Sequence, residues 1–405
     1  MELLMDKGLG QFFEDYLEAE SLFSHKEYLQ PNFVPETITH RAEQLQAVAS
    51  ILAPCLRGQK PSNLFVYGKT GTGKTLTVTY TTQQLEKVAK KKNLPLKVIY
   101  LNCKLKKVAD TEYRLIAQLA REFGKAIPPT GLPTDEVYSI FFKELDKEKR
   151  IILIVLDEID VLVGKIGDEM LYNLTRVNAE LKNAQLSIVG ISNDVIFTER
   201  LDPRVKSSLS EEELIYPPYN AMHLQEILDQ RVKMSMNENA VGEGVIAKCA
   251  AIAAREHGDA RRAIELLRVS GELAERDGAT QVNMSHIDKA EDTIERDKVI
   301  ELVKGQPKHY QATLYAIFDL GNQRNDALFT GEVYEHYKHV CQQVALRPLT
   351  QRRVSDIIGE FDVLGVINAK VISKGRFGRT REIFPSTSQT LVENAQSTLT
   401  EELGL

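Results

Sequence analysis

Apolar residues recur along this chain with two periods, and the change from one to the other divides it. Residues 63–67, Asn63-Leu64-Phe65-Val66-Tyr67, form a short apolar run ending in glycine, which predicts a strand. Residues 98–101 and 186–191 predict two more. Ile151-Ile152-Leu153-Ile154-Val155-Leu156 is apolar at every position, the pattern of a strand buried on both faces of a parallel sheet. Helical spacing lies between these runs. Leu45, Val48, Ala49 and Leu52 share one stripe after His40-Arg41, and residues 76–89 and 112–122 predict two further helices. Strands alternating with helices predict an α/β core, a parallel sheet flanked by helices.

Tyr216-Pro217-Pro218-Tyr219 breaks the pattern, and after it only helical spacing continues, at 223–236, 245–256, 259–276 and 285–295. This predicts a small α-helical lid domain. Residues 300–306 predict a linker. Helices follow at 308–320 and 330–344, and Thr350 caps a third whose stripe is Val354, Ile357, Ile358, Phe361 and Leu364. Strands at 366–372 and 381–384 flank a glycine-rich loop. Three helices and a hairpin predict a winged-helix domain. The expected division is 1–215 for the nucleotide-binding core with an N-terminal arm, 216–299 for the lid, and 300–405 for the winged helix.

Composition narrows the class. The chain has 405 residues, 43% of them hydrophobic and 27% charged, with a formal net charge of -6. That is a globular composition, and nucleic-acid binding in it would need a local basic patch. The four cysteines are scattered without metal-ligand spacing. The longest aliphatic run is far short of the ~20 residues a membrane helix needs. The start of the chain does not read as a signal peptide, so a cytoplasmic protein is expected.

The chemistry begins at Gly68-Lys69-Thr70-Gly71-Thr72-Gly73-Lys74-Thr75, between the first strand and the first long helix. Glycines let backbone N–H groups turn toward phosphates, and the following helix adds its positive end. Lys74 would reach the β and γ phosphates of ATP, and Thr75 would give its hydroxyl to Mg²⁺. Asp157 and Glu158 end the all-apolar strand. Carboxylates there face the phosphate loop in such sheets, so Asp157 would hold Mg²⁺ and Glu158 would polarise the attacking water. Asn193 ends the next strand and could orient that water. Asp202-Pro203 predicts a capped helix start. Arg204 in its first turn opposes the helix dipole, as an arginine serving a neighbouring subunit's nucleotide would. Asp259 caps another helix whose Arg261 could reach the phosphates, or else pair with Glu265 four residues on.

Two basic stretches are candidates for DNA. One is Lys104, Lys106 and Lys107, for which composition alone favours a solvated helix face over a contact with DNA phosphate. The other runs from Arg347 to Glu382, where eight Lys/Arg face four Asp/Glu, a local +4 in an acidic chain. Within it Gln351, Arg352, Arg353 and Ser355 open the third helix, and Lys374, Arg376, Phe377, Gly378 and Arg379 form the hairpin tip. The helix start would enter the major groove and the tip would track phosphates or the minor groove.

Together these motifs resemble the archaeal replication initiators of the origin-recognition and cell-division-cycle type, within the AAA+ ATPases, over about residues 33–385. The residues that carry the resemblance are the phosphate loop, Leu156-Asp157-Glu158-Ile159-Asp160, Ser192-Asn193-Asp194, 201–208, Gly258-Asp259-Ala260-Arg261-Arg262, Pro348-Leu349-Thr350-Gln351-Arg352-Arg353 and Gly375-Arg376-Phe377-Gly378-Arg379-Thr380. The resemblance implies sensor-one at Asn193, an arginine finger at Arg204, sensor-two at Arg261, and an initiator-specific insertion touching DNA around Lys104–Thr111. Val34, Tyr219 and Arg231 are further candidates for the nucleotide contacts. Ala42 stands where the family often has an acidic residue. The implied ligands are ATP or ADP with Mg²⁺. The implied partners are double-stranded origin DNA, a replicative helicase of the minichromosome-maintenance type and paralogous initiator subunits. Hydrolysis would be weak and serve as a switch. A clamp-loader-like remodelling ATPase and an ATP-gated winged-helix transcription regulator are the alternatives.

Overall fold

The computed structural model describes residues 9–18, 20–31, 33–35, 37–104, 111–128, 130–209, 211–323, 326–373, 379–385 and 389–405. They form two compact units, Met1–Ile287 and Asp288–Leu405. The first is built on β1 (Asn63–Tyr67), β2 (Leu96–Asn102), β3 (Ile151–Asp157), β4 (Gln185–Ser192) and β5 (Glu211–Ile215). Their order is β2-β3-β4-β1-β5, with every neighbouring pair parallel.

Parallel neighbours need crossovers, and the crossovers put helices on both faces. Side chains alternate along each strand, so the sheet feeds two cores. Leu64, Val66, Leu153, Val155, Val189 and Ile191 pack with α2 (Ala42–Leu52) and α3 (Lys74–Lys91). Phe65, Tyr67, Ile152, Ile154 and Leu156 face the other way. They meet α4 (Glu112–Glu122), α5 (Thr134–Leu145), α6 (Ile159–Ile166), α7 (Glu169–Arg176) and α8 (Pro203–Leu209). The unbroken apolar run of β3 is thus two half-patterns, one for each face, and all seven residues are buried. β5 was not expected, since Glu211-Glu212-Glu213 lacks the apolar run that marks the other strands. As an edge strand beside β1 alone, it can leave those carboxylates in water.

The lid consists of α9 (Ala221–Ser235), α10 (Val245–Arg255), α11 (Ala260–Arg276) and the start of α12 (Met284–Lys304). The expected N-terminal arm contains α1 (Leu9–Glu18) and a segment strapped to the lid. Ser24 and His25 donate their backbone N–H groups to Ser235 O, and Asn237 N donates to Leu22 O. Phe23 is buried against Gly271, where a Cβ would lie 2.4 Å from its ring. The linker expected at 300–306 is instead helical through Lys304. Val299, Leu302 and Val303 lie at helical spacing and pack into the core of the second unit.

That second unit holds α13 (Lys308–Gln323), β6 (Leu328–Phe329), α14 (Thr330–Gln343), α15 (Gln351–Val363), β7 (Ile367–Ser373), β8 (Arg379–Pro385) and α16 (Gln389–Leu403). The strands form an antiparallel sheet in the order β6-β8-β7. It is the expected winged helix with a two-residue strand and a terminal helix added. Thr350 caps α15 as predicted, its hydroxyl accepting from Arg353 N. Among the described residues, no helix is long and apolar enough to cross a membrane.

The central sheet makes one test simple. A Cβ at Gly190 in β4 would lie 2.6 Å from the buried Phe65 ring. Gly190→Val should therefore lower stability by about 1–3 kcal/mol in urea unfolding, as overpacked cores do. Gly164→Ala, in α6 with nothing within 4 Å of its Cβ, should be neutral or stabilising. Equal stability of Gly190→Val and wild type would contradict the packing described.

Candidate nucleotide site and nucleic-acid interface

In a parallel sheet all carboxyl ends lie on one edge, so the residues after β1, β3 and β4 converge there. The loop after β1 turns through three glycines with positive φ, Gly68, Gly71 and Gly73. Thr72 Oγ1 donates to Lys69 O at 2.8 Å and braces it. Lys74 is buried, and its Nζ donates to Gly68 O, Lys69 O and Asn193 Oδ1 at 2.7, 2.7 and 2.9 Å. Burial pushes the Lys74 ammonium down to about 8, with the Asp157 charge opposing the shift. A buried cation held only by neutral oxygens is suited to an anionic ligand.

Asp157 is buried at the end of β3, where it accepts from Thr75 Oγ1 at 3.0 Å and from Tyr100 Oη. A hydroxyl and a carboxylate meeting at one point are the hard oxygen donors Mg²⁺ prefers, so the residues fit that ion. Glu158 follows with a left-handed backbone, φ +58°, a conformation uncommon outside glycine and favoured at functional sites. It is the N-cap of α6 and makes no side-chain cap bond. Lys104 Nζ stands 3.8 Å from Glu158 Oε2.

Lys74, Thr75, Tyr100, Asp157, Glu158 and Asn193 line a cleft of about 930 Å³, large enough for a nucleotide. Val34, Tyr219, Arg231 and Arg261 line it too. Arg231 donates to Tyr28 O at 3.1 Å and stacks on Phe33 at 4.6 Å, so it fastens the N-terminal segment over the cleft. Arg261 is exposed in the first turn of α11, and its N–H donates to the Asp259 cap at 2.7 Å. Glu265, its alternative partner, pairs with Arg262. Arg204 does not line the cleft. It projects from the start of α8, 83% exposed, and pairs with Asp202 at 3.1 Å. Sequence reasoning missed Arg41 and Tyr100. The one hint for Tyr100 was its place two residues before Asn102, which pairs with Asp157 in register.

The DNA candidates divide differently. Lys104 is described, and Thr111 spends its hydroxyl capping α4 by accepting from Arg114 N at 3.3 Å. Lys106 and Lys107 lie outside the described residues. In the second unit Gln351, Arg352 and Arg353 are exposed at the start of α15, with Ser355 half-buried. Arg353 Nη2 donates to Tyr310 Oη at 3.0 Å, and Tyr310 Oη donates to Glu360. Lys374, Arg376, Phe377 and Gly378 lie outside the described residues. Arg379 opens β8, its backbone opposite Ser373.

Known families match this layout. Residues 57–194 match an AAA domain, 225–292 a Cdc6 AAA+ ATPase-type lid domain, and 301–395 the CDC6 C-terminal winged helix domain. The chain is 51% identical over 393 residues to an ORC1-type DNA replication protein of Thermococcus onnurineus, covering 96% of this chain and 94% of that one. A Pyrococcus abyssi protein of the same description is 52% identical over 379 residues, 93% of this chain and 90% of its own. Among solved structures, the Aeropyrum pernix ORC1 protein in complex with DNA is 43% identical with a TM-score of 0.85, over 95% of this chain and 98% of that chain.

The loop geometry yields a test at Gly71. Its φ is +68°, and a Cβ there would fall 1.6 Å from Asp259 Oδ1. In Gly71→Ala the loop must leave the cradle shape and be restored on binding, at about 1–3 kcal/mol. Calorimetric ATP affinity should fall by roughly 5- to 150-fold. Unchanged affinity would show that this loop is not the phosphate cradle.

Proposed function

The chain belongs to the family of ORC1-type DNA replication proteins, and we propose that it is an ATP-gated initiator that binds duplex origin DNA and promotes replicative helicase loading. One observation carries the reading: a single chain joins a phosphate loop, carboxylates and lid to a winged helix opened by Gln351, Arg352 and Arg353. The Aeropyrum pernix relative, whose structure contains DNA, supports it.

In this reading the N–H groups of 71–75 and the Lys74 ammonium hold the β and γ phosphates. Thr75 and Asp157 would hold Mg²⁺, which would supply charge neutralisation on the phosphates. Glu158 accepts the proton of the attacking water, and Asn193, already bonded to Lys74, fixes that water's position. Arg261 senses the phosphates from the lid. Arg204, exposed and outside the lining of its own cleft, supplies its guanidinium to the nucleotide of a neighbouring initiator subunit. Without that neighbour hydrolysis is slow, so ATP and ADP act as states of a switch. The helicase to be loaded is of the minichromosome-maintenance type. The basic groups Lys104, Lys106 and Lys107 with Thr111, and the hairpin tip Lys374, Arg376, Phe377, Gly378 and Arg379, add phosphate contacts to those of α15.

Glu158→Gln should bind ATP as wild type does and lose turnover, measured by calorimetry and phosphate release; wild-type turnover in this variant would remove Glu158 from the base role. For DNA, fluorescence anisotropy of an origin duplex and a scrambled one over a salt series is decisive. Arg352→Ala with Arg353→Ala should lower the log–log salt slope by about 1.8, two phosphate contacts at roughly 0.9 each. Absence of duplex binding by wild type would instead favour a protein-remodelling ATPase.

A further inference from the structure

Arg41 is buried at 3% exposure and lies outside the mechanism above. Burying a guanidinium costs several kcal/mol unless its donors are satisfied. Among the described residues its partners include no carboxylate. Nε donates to Thr72 O at 2.9 Å, Nη2 to Pro217 O at 2.6 Å, and Nη1 to His40 O at 3.5 Å. The guanidinium stacks on Tyr219 at 3.9 Å and stands 5.6 Å from the Tyr216 ring. One planar fork therefore grips the phosphate loop with one nitrogen and the core–lid hinge with another.

Each grip has a physical reason. Thr72 C=O and Gly73 N–H belong to a single planar peptide, with the carbonyl and the N–H pointing opposite ways. A phosphate that fixes the N–H from inside the loop fixes the carbonyl outside it. At the hinge, Tyr216 N is tied to Tyr67 O in the core, and Tyr219 N to Gly258 O in the lid. Between them Pro217 and Pro218 have no N–H, so this stretch cannot continue the ladder and its carbonyl is left to a side-chain donor. The preceding residue continues the link. His40, at φ +58°, stacks on His223 of α9 at 4.3 Å and places Nε2 3.0 Å from Glu226.

We propose that Arg41 is a positioning residue that couples the nucleotide state of the phosphate loop to the angle of the lid, through the Thr72 and Pro217 carbonyls. The proposal rests on the nucleotide-binding part of the reading above and not on its DNA part. Lysine cannot replace arginine here, because an ammonium has neither the fork nor the plane that stacks between two rings.

The test compares wild type with Arg41→Lys. Hydrogen exchange of amides 219–224 is followed without nucleotide, with ADP and with a non-hydrolysable ATP analogue. Affinity is measured alongside by calorimetry. Wild type should show protection that depends on the nucleotide. Arg41→Lys should still bind nucleotide but lose most of that response, a loss of roughly 5- to 150-fold in coupling. A wild-type response in Arg41→Lys overturns the proposal, as does wild type that binds nucleotide without protecting 219–224. Wild type that binds no nucleotide defeats the nucleotide reading itself, and the coupling with it. Should Arg41→Lys not fold, Tyr219→Leu removes the ring under the guanidinium and should blunt the same response. An unblunted response there overturns the proposal equally.

Discussion

Everything in the first unit depends on β3 being buried on both faces. A strand with no solvent face must be apolar throughout, and its ends are the first places where polar residues can stand. Asp157 and Glu158 stand at one such end. Parallel neighbours then bring the phosphate loop and Asn193 to the same edge, since β4 pairs with both β3 and β1. The hydrophobic constraint that closes the core thus also gathers the charged groups. Packing and chemistry meet where the strands end, at Tyr67, Asn102, Asp157 and Ser192.

Beside these strand ends the polar groups hold one another. Lys74 and Arg41 are both buried cations, each satisfied by backbone carbonyls, and they approach the loop from opposite sides. Lys74 faces the cleft, and its lowered pKa reflects the desolvation that phosphate charge would offset. Arg41 grips the outer side of the same loop. The lid adds a third hold, with Ala260 N donating to Gly71 O at 3.2 Å and Asp259 packed over Gly71. A loop braced from three directions keeps its N–H groups pointed inward, and that preorganisation lowers the cost of ordering on binding.

Legibility followed local chemistry. The phosphate loop, β1, β3 and the caps at Thr350 and Asp259 could be read because each has a short-range cause: glycine freedom, full burial, or a hydroxyl or carboxylate beside free N–H groups. β5 could not, because Glu211-Glu212-Glu213 is a strand only through pairing with β1, 144 or more residues earlier in the chain. The helical character of 300–304 was hidden because the partners of Val299, Leu302 and Val303 lie further along the sequence. Arg41 was read only as part of a helix opening. Its contacts to Thr72 and Pro217 span 31 and 176 residues and leave no local pattern. The Glu265 partner considered for Arg261 pairs instead with Arg262, which is buried at 5% exposure and also bonds Glu256 at 2.9 Å.

The second unit solves a different electrostatic problem. The chain carries -6 overall, and the stretch 347–382 carries +4, so the remainder is more negative still. The field of an exposed charge falls off over about 8 Å at physiological salt, so the charge of this stretch acts locally whatever that background. Such a surface must also be ordered, because flexible arginines lose entropy on every contact. Arg353 Nη2 donates to Tyr310 Oη at 3.0 Å, and Glu360 Oε1 stands 3.7 Å from its Nη1. Glu360 therefore subtracts a charge from the patch while fixing the direction of one arginine. Charge is exchanged for geometry at this one position.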